Sequence, residues 1–261
     1  MLVVAGIALL ASTWAFRSAG IVESPAQGDS SVVQSLRVDV LRTIPHDTTA
    51  YTQGLLWWRD KLYESTGQYG TSTLRRVHPD TGVVEQRIDI EPGYFGEGLA
   101  RVDDRLIQLT WKAQRAFVYD LDSFAAIGTH RYVGEGWGLC HDGTRLIMSN
   151  GSDTLMFRDP GTFAAIGSVR VTLRGQPQPD LNELECVNDV VYANIWQHDE
   201  IVRVNPASGR VTHHIDAGGL LTQDDARGTD VLNGIAYNAD TDTFYLTGKL
   251  WPKMFEVSFV D

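Results

Sequence analysis

Apolar and polar residues alternate along this chain in short runs, and the pattern restarts five times. The restarts are Gly54-Leu55, Gly98-Leu99, Gly138-Leu139, Leu184-Glu185 and Gly234-Ile235, spaced 44, 40, 46 and 50 residues apart. After each restart come a second run (Lys61-Glu64, Arg105-Leu109, Arg145-Ser149, Val190-Ile195, Thr243-Thr247) and a third (Thr73-Val77, Arg115-Tyr119, Thr154-Phe157, Ile201-Val204, Met254-Phe259). Their β-branched and aromatic content suits half-buried strands. Turn chemistry such as His78-Pro79-Asp80-Thr81-Gly82 and Asn205-Pro206-Ala207-Ser208-Gly209 leads into a fourth run in the first four repeats. No segment keeps a helical period between repeats, so the domain is expected to be all-β.

Such repeats bury their faces only by stacking on one another, and five of them predict a five-bladed β-propeller. The fifth repeat stops at Asp261 after its third strand, which leaves an edge that needs a partner. Leu36–Ile44 alternates like a strand and is expected to be the outer strand of the last blade, closing the ring. The expected division is an N-terminal segment over residues 1–35 and a propeller over 36–261.

The first sixteen residues carry no charge, and the apolar run is shorter than the ~20 residues of a spanning helix. It fits the apolar region of an export signal, followed by a Ser/Gly/Ala/Gln-rich spacer. Cleavage near Ala15 or Ala19 and retention as a membrane anchor both remain open, and the destination is periplasmic or secreted. The net charge of −11, without a basic run, argues against a nucleic-acid partner. Cys140 and Cys186 are the only cysteines. Both fall on innermost strands of neighbouring repeats, where a bridge is conceivable, but a pair of buried free thiols is the expectation.

In an up-and-down unit the start of the first strand and the end of the second share one face of the disc. That face is expected to gather Gln53, Glu97, Trp137, Glu183 and Asn233 with Gly67, Trp111, Asn150, Trp196 and Gly248, and with Lys249 beside them. Each tryptophan taken alone could pack between blades; three together suggest an aromatic-walled pocket. A Glu97 desolvated against such walls would have a raised pKa suited to proton transfer. The seven histidines show no metal-ligand spacing, and no serine or cysteine lies in a nucleophile-elbow pattern.

Several motifs then occur in order: Tyr51-Thr52-Gln53-Gly54-Leu55, Phe95-Gly96-Glu97-Gly98, Leu109-Thr110-Trp111-Lys112, Gly134-Glu135-Gly136-Trp137-Gly138-Leu139, Leu181-Asn182-Glu183-Leu184, Asn194-Ile195-Trp196 and Leu232-Asn233-Gly234-Ile235. From about residue 40 to the C-terminus the chain closely resembles the plant and bacterial type of glutaminyl cyclase (glutaminyl-peptide cyclotransferase). The resemblance implies a five-bladed propeller that cyclises N-terminal glutamine of peptides and proteins to pyroglutamate, releasing ammonia. It implies Glu97 as the catalytic residue and Gln53, Phe95, Trp111, Trp137, Asn182 and Trp196 as substrate contacts. Tyr51 stands where the family often carries Phe, and Lys249 is a further carry-over. The resemblance also implies no cofactor or zinc for catalysis and allows a structural calcium in the channel, for which no acidic cage is evident. The expected protein is a monomer acting on peptide substrates. Two other readings remain: a non-catalytic exported propeller binding peptide ends or small ligands, and a metal-dependent sugar-lactone hydrolase.

Overall fold

The computed structural model describes Met1, Leu2 and residues 32–261. The expected export signal or anchor therefore lies outside the described residues, apart from those first two. The compact unit runs from Val32 to Asp261. It contains 22 strands and, among the described residues, no helix. Strand β1 (Gln34–Pro45) precedes a first group of four, β2 (Thr52–Trp58), β3 (Lys61–Thr66), β4 (Thr73–Val77) and β5 (Val84–Asp89). A second group follows as β6 (Gly96–Val102), β7 (Arg105–Thr110), β8 (Arg115–Asp120) and β9 (Ala126–Arg131). The third is β10 (Leu139–His141), β11 (Leu146–Met148), β12 (Thr154–Arg158) and β13 (Ala165–Arg170). A short hairpin, β14 (Thr172–Leu173) and β15 (Gln176–Pro177), had no counterpart in the repeat pattern. It leads into β16 (Leu181–Val187), β17 (Val190–Ile195), β18 (Glu200–Asn205) and β19 (Arg210–Asp216), and then β20 (Leu232–Asn238), β21 (Thr243–Gly248) and β22 (Lys253–Val260).

Each group is an antiparallel meander, and the small sheets are arranged in the manner of a propeller. The first strands pack side by side, β2 on β6, β6 on β10, β10 on β16, β16 on β20 and β20 on β2. They are covered on both faces, which is why β2 and β6 are buried almost throughout instead of alternating. The outer strands β9 and β13 are mostly exposed.

β1 pairs antiparallel with β22, from Arg37 opposite Val260 to Pro45 opposite Lys253, with a bulge between Val40 and Arg42. Its first residues also run parallel to β19, Gln34 opposite His213, so the fourth and fifth groups join into one sheet. Immediately after β1, His46 bonds through Nε2 to Glu64 Oε1 at 2.9 Å and through Nδ1 to the carbonyl of Trp251 at 2.8 Å. These contacts fasten the end of β1 to β3 and to the last turn before β22.

Four first strands carry a bulge at the same place: between Thr52 and Gly54, Gly96 and Leu99, Leu181 and Leu184, and Leu232 and Ile235. A bulge adds an unpaired residue and re-aims its side chain. The registers put Glu97, Asn182 and Asn233 at equivalent positions, followed by Gly98, Glu183 and Gly234. The fourth repeat therefore restarts one residue earlier than the sequence pattern suggested. Elsewhere the restart position is glycine because a Cβ would collide with the next group, 2.5 Å from Leu139 N for Gly98 and 2.6 Å from Leu99 N for Gly54. With Glu183 in that slot, the glycine marker is missing.

The cysteines correct a second expectation. Cys140 on β10 and Cys186 on β16 form a disulfide, with their Cα atoms 5.5 Å apart. Adjacent first strands hold the two residues directly opposite one another, within the separation a bridge requires.

Candidate active site

A cavity of about 280 Å³ opens on one face and is lined by Tyr51, Gln53, Gln68, Phe95, Glu97, Trp111, Trp137, Asn182, Trp196 and Lys249. All nine residues assigned to the site from sequence lie there together. The floor is polar and buried: Glu97 is 3% exposed, and Gln53, Asn182 and Lys249 are as deeply covered. The walls are aromatic. Trp137 stands edge-on to Trp196 with centroids 5.5 Å apart, and Phe95 leans on Trp111 at the same separation.

Glu97 sits in the β6 bulge, where Ser65 Oγ donates to its carbonyl and Gly98 N donates to Trp137 O at 2.7 Å. Ser65 Oγ in turn accepts from Gln108 Nε2 at 2.7 Å, so the Glu97 segment is backed by a buried polar chain. The glycines beside Glu97 serve close packing against neighbouring strands. A Cβ on Gly96 would lie 2.6 Å from Thr66 O. Burial drives the Glu97 pKa well above the usual carboxylate range; Lys249 and a hydrogen bond from Gln53 oppose the shift, and the charge of Glu135 adds to it. Burial likewise lowers the Lys249 pKa, against the pull of Glu97 and Asp230. An acid and a base are thus pushed toward each other's range across one small space.

Asn233, expected at the mouth, lies beneath it. Its Nδ2 donates to Gln53 Oε1 and to Thr52 O, both at 3.0 Å, which leaves the Gln53 NH₂ free to face Glu97. Glu183 also turns away from the cavity, accepting Leu55 N–H at 3.2 Å and Ile235 N–H at 2.8 Å. Of the second-strand ends, Trp111 and Trp196 line the cavity. Gly67 packs under the Phe95 ring, Gly248 packs under Trp251, and Asn150 caps its own turn through Ser152.

Four participants were missed from sequence. Glu135 Oε2 accepts both the Trp111 indole N–H at 2.7 Å and the Trp137 indole N–H at 3.1 Å. Lys112 completes that corner, with Nζ 3.8 Å from Glu135 Oε1 and 3.8 Å from the Trp111 ring centroid. Asp230, on the segment before β20, accepts the Tyr51 hydroxyl at 2.9 Å. Burial and this bond raise the Tyr51 pKa, keeping the phenol protonated. Gln68 lines the cavity from a left-handed backbone, φ 95°. Only Glu135 left a signal, since Gly134-Glu135-Gly136 repeats the form of Gly96-Glu97-Gly98.

A buried carboxylate with a raised pKa, a neighbouring buried lysine and amide groups inside aromatic walls give this all-β protein a cavity chemically suited to moving a proton on a small polar group. Residues 11–259 match the family model described as Glutamine cyclotransferase, and the chain belongs to that family. It is 40% identical over 225 residues to a glutaminyl-peptide cyclotransferase of Arabidopsis thaliana, covering 84% of this chain and 70% of the plant protein. The crystal structure of Myxococcus xanthus glutaminyl cyclase superposes with a TM-score of 0.82 at 39% identity, over 88% of this chain and 99% of that one.

Proposed function

We propose that this protein is a glutaminyl-peptide cyclotransferase that converts the N-terminal glutamine of peptides and proteins to pyroglutamate, with Glu97 carrying the proton. The observation that carries the mechanism is the convergence of Glu97, Lys249, Gln53 and Asn182 at the floor of one aromatic cavity. The fold supporting it is read as a five-bladed propeller, with β1 supplying the outer strand of the last blade.

The reaction forms a bond between the substrate's α-nitrogen and its own γ-carbonyl carbon, and breaks the bond from that carbon to the amide nitrogen. A peptide α-amine has a pKa of about 8, so a reactive share of the substrate is present as the free amine near neutral pH. As that free amine attacks the γ-carbon, Glu97 takes one proton from its nitrogen and passes the same proton to the departing amide nitrogen, which leaves as ammonia. Lys249, Asn182 and the Gln53 amide are the donors available to the γ-oxygen as it gains negative charge. Trp111, Trp137, Trp196 and Phe95 hold the side chain folded for ring closure, so much of the acceleration is orientational.

No metal step is included. Glu183 already receives two backbone N–H groups and Glu185 receives that of Tyr237 at 2.9 Å. Among the described residues no three His, Cys, Asp or Glu converge. We also read the protein as exported: the uncharged start of the chain fits a signal or anchor, and a disulfide fits an oxidising compartment. Ammonia release from a Gln-initiated peptide in the presence of chelator tests the activity. Turnover abolished by chelation would favour the metal-dependent alternative, and binding without ammonia release would favour the non-catalytic one.

A further inference from the structure

The 280 Å³ cavity is smaller than a pocket for a drug-sized ligand and suits a single residue, so whatever follows the substrate's glutamine must leave across the rim. One part of that rim is a built aromatic shelf. Tyr69 is 55% exposed, yet its ring meets Phe95 edge-on at 5.4 Å and 73°. Phe95 in turn touches Tyr51 at 6.0 Å and Trp111 at 5.5 Å, so an aromatic row runs from the wall of the cavity out to solvent.

The turn carrying this shelf is fixed from below. The Gln68 carbonyl accepts Ser72 N at 2.9 Å, Ser72 Oγ at 2.7 Å and Thr71 N at 3.2 Å, while Gly70 N donates to Pro92 O at 3.1 Å. Ser72 Oγ also accepts Gly96 N at 3.0 Å, directly before Glu97. These bonds hold Gln68 at φ 95°, a conformation that non-glycine residues adopt at a cost and that tends to mark ligand contacts. Its side chain is thereby kept on the cavity while Tyr69 is held outside it.

The geometry points to Tyr69 and Gln68 as the subsite for the second residue of the substrate peptide, with an aromatic or large apolar side chain lying on Tyr69 and Phe95 and the Gln68 amide meeting the peptide backbone. This rests on the cyclotransferase reading and adds the substrate class. Edge-on and offset aromatic contacts give a preference of about three- to tenfold over a residue without a side chain.

The test compares Gln-Phe amide with Gln-Gly amide, by ammonia release for kcat/KM and by tryptophan fluorescence for Kd, in the wild type, Tyr69→Phe, Tyr69→Ala and Gln68→Gly. The expected wild-type preference for Gln-Phe amide is about three- to tenfold in both readouts, kept in Tyr69→Phe, collapsing toward one in Tyr69→Ala and reduced in Gln68→Gly. A wild type that does not discriminate in binding, or a Tyr69→Ala protein that keeps the full ratio, would overturn the subsite. Discrimination in binding with no ammonia from either peptide would instead remove the cyclotransferase reading and leave the subsite standing.

Discussion

Replacing Glu135 with alanine removes no group that touches the reacting atoms, yet a large loss of activity is expected. A single oxygen of Glu135 anchors two walls of the cavity, the indoles of Trp111 and Trp137. Hydrogen bonds to a charged acceptor contribute about 1.5–3 kcal/mol each when nothing replaces them. The Glu135 side chain is 40% exposed, so water takes over much of both bonds. A net loss of about 1–2 kcal/mol of transition-state positioning is the reasonable scale, corresponding to roughly a 5- to 30-fold fall in kcat/KM. Glu135→Gln keeps an acceptor oxygen and should fall between wild type and alanine. The alanine protein also loses a negative charge that helps raise the Glu97 pKa, so the acid limb of its profile should move to lower pH. The assay is ammonia release from a Gln-initiated peptide across a pH series, with circular dichroism to verify folding. A folded Glu135→Ala enzyme within twofold of wild type, with an unmoved acid limb, would refute the reasoning.

Two further outcomes follow from the same structure. Glu97 must be ionised in the free enzyme to accept a proton, and burial raises its pKa, so kcat/KM should decline with falling pH well before the ordinary carboxylate range; a profile flat down to pH ~4 would contradict this. Cys140→Ser opens a bridge spanning 46 residues and should lower stability by about 2–4 kcal/mol in urea or guanidinium unfolding, with wild type shifting likewise under reductant; coincident curves would show that the bridge does not form.

Much of the site was legible because a repeat fixes side-chain direction. Gln53, Glu97 and Trp137 stand immediately before glycines whose Cβ positions are filled by the next group, and that spacing recurs. The same rule failed where Glu183 replaces the glycine. The register there slips by one residue, and a one-residue slip in a strand exchanges faces, which is why Glu183 was expected at the mouth and Asn182 entered only through the family resemblance. Gln68 and Asp230 were invisible for a different reason. They act from loops whose positions depend on turn geometry and on contacts between distant segments, such as Tyr51 with Asp230, 179 residues apart. The disulfide is not legible in the sequence because spacing alone does not show that β10 and β16 hold Cys140 and Cys186 opposite each other.

The central claim is that Glu97 carries the proton in a cyclisation driven otherwise by positioning. Purified wild type and Glu97→Gln should be compared for ammonia and pyroglutamate formation from a Gln-initiated peptide in chelator, with peptide affinity measured alongside. The account predicts turnover by wild type and, in the variant, peptide binding within a few-fold of wild type with kcat reduced by about 10²–10⁴. A Glu97→Gln enzyme that binds and cyclises the peptide at a near-normal rate would contradict it.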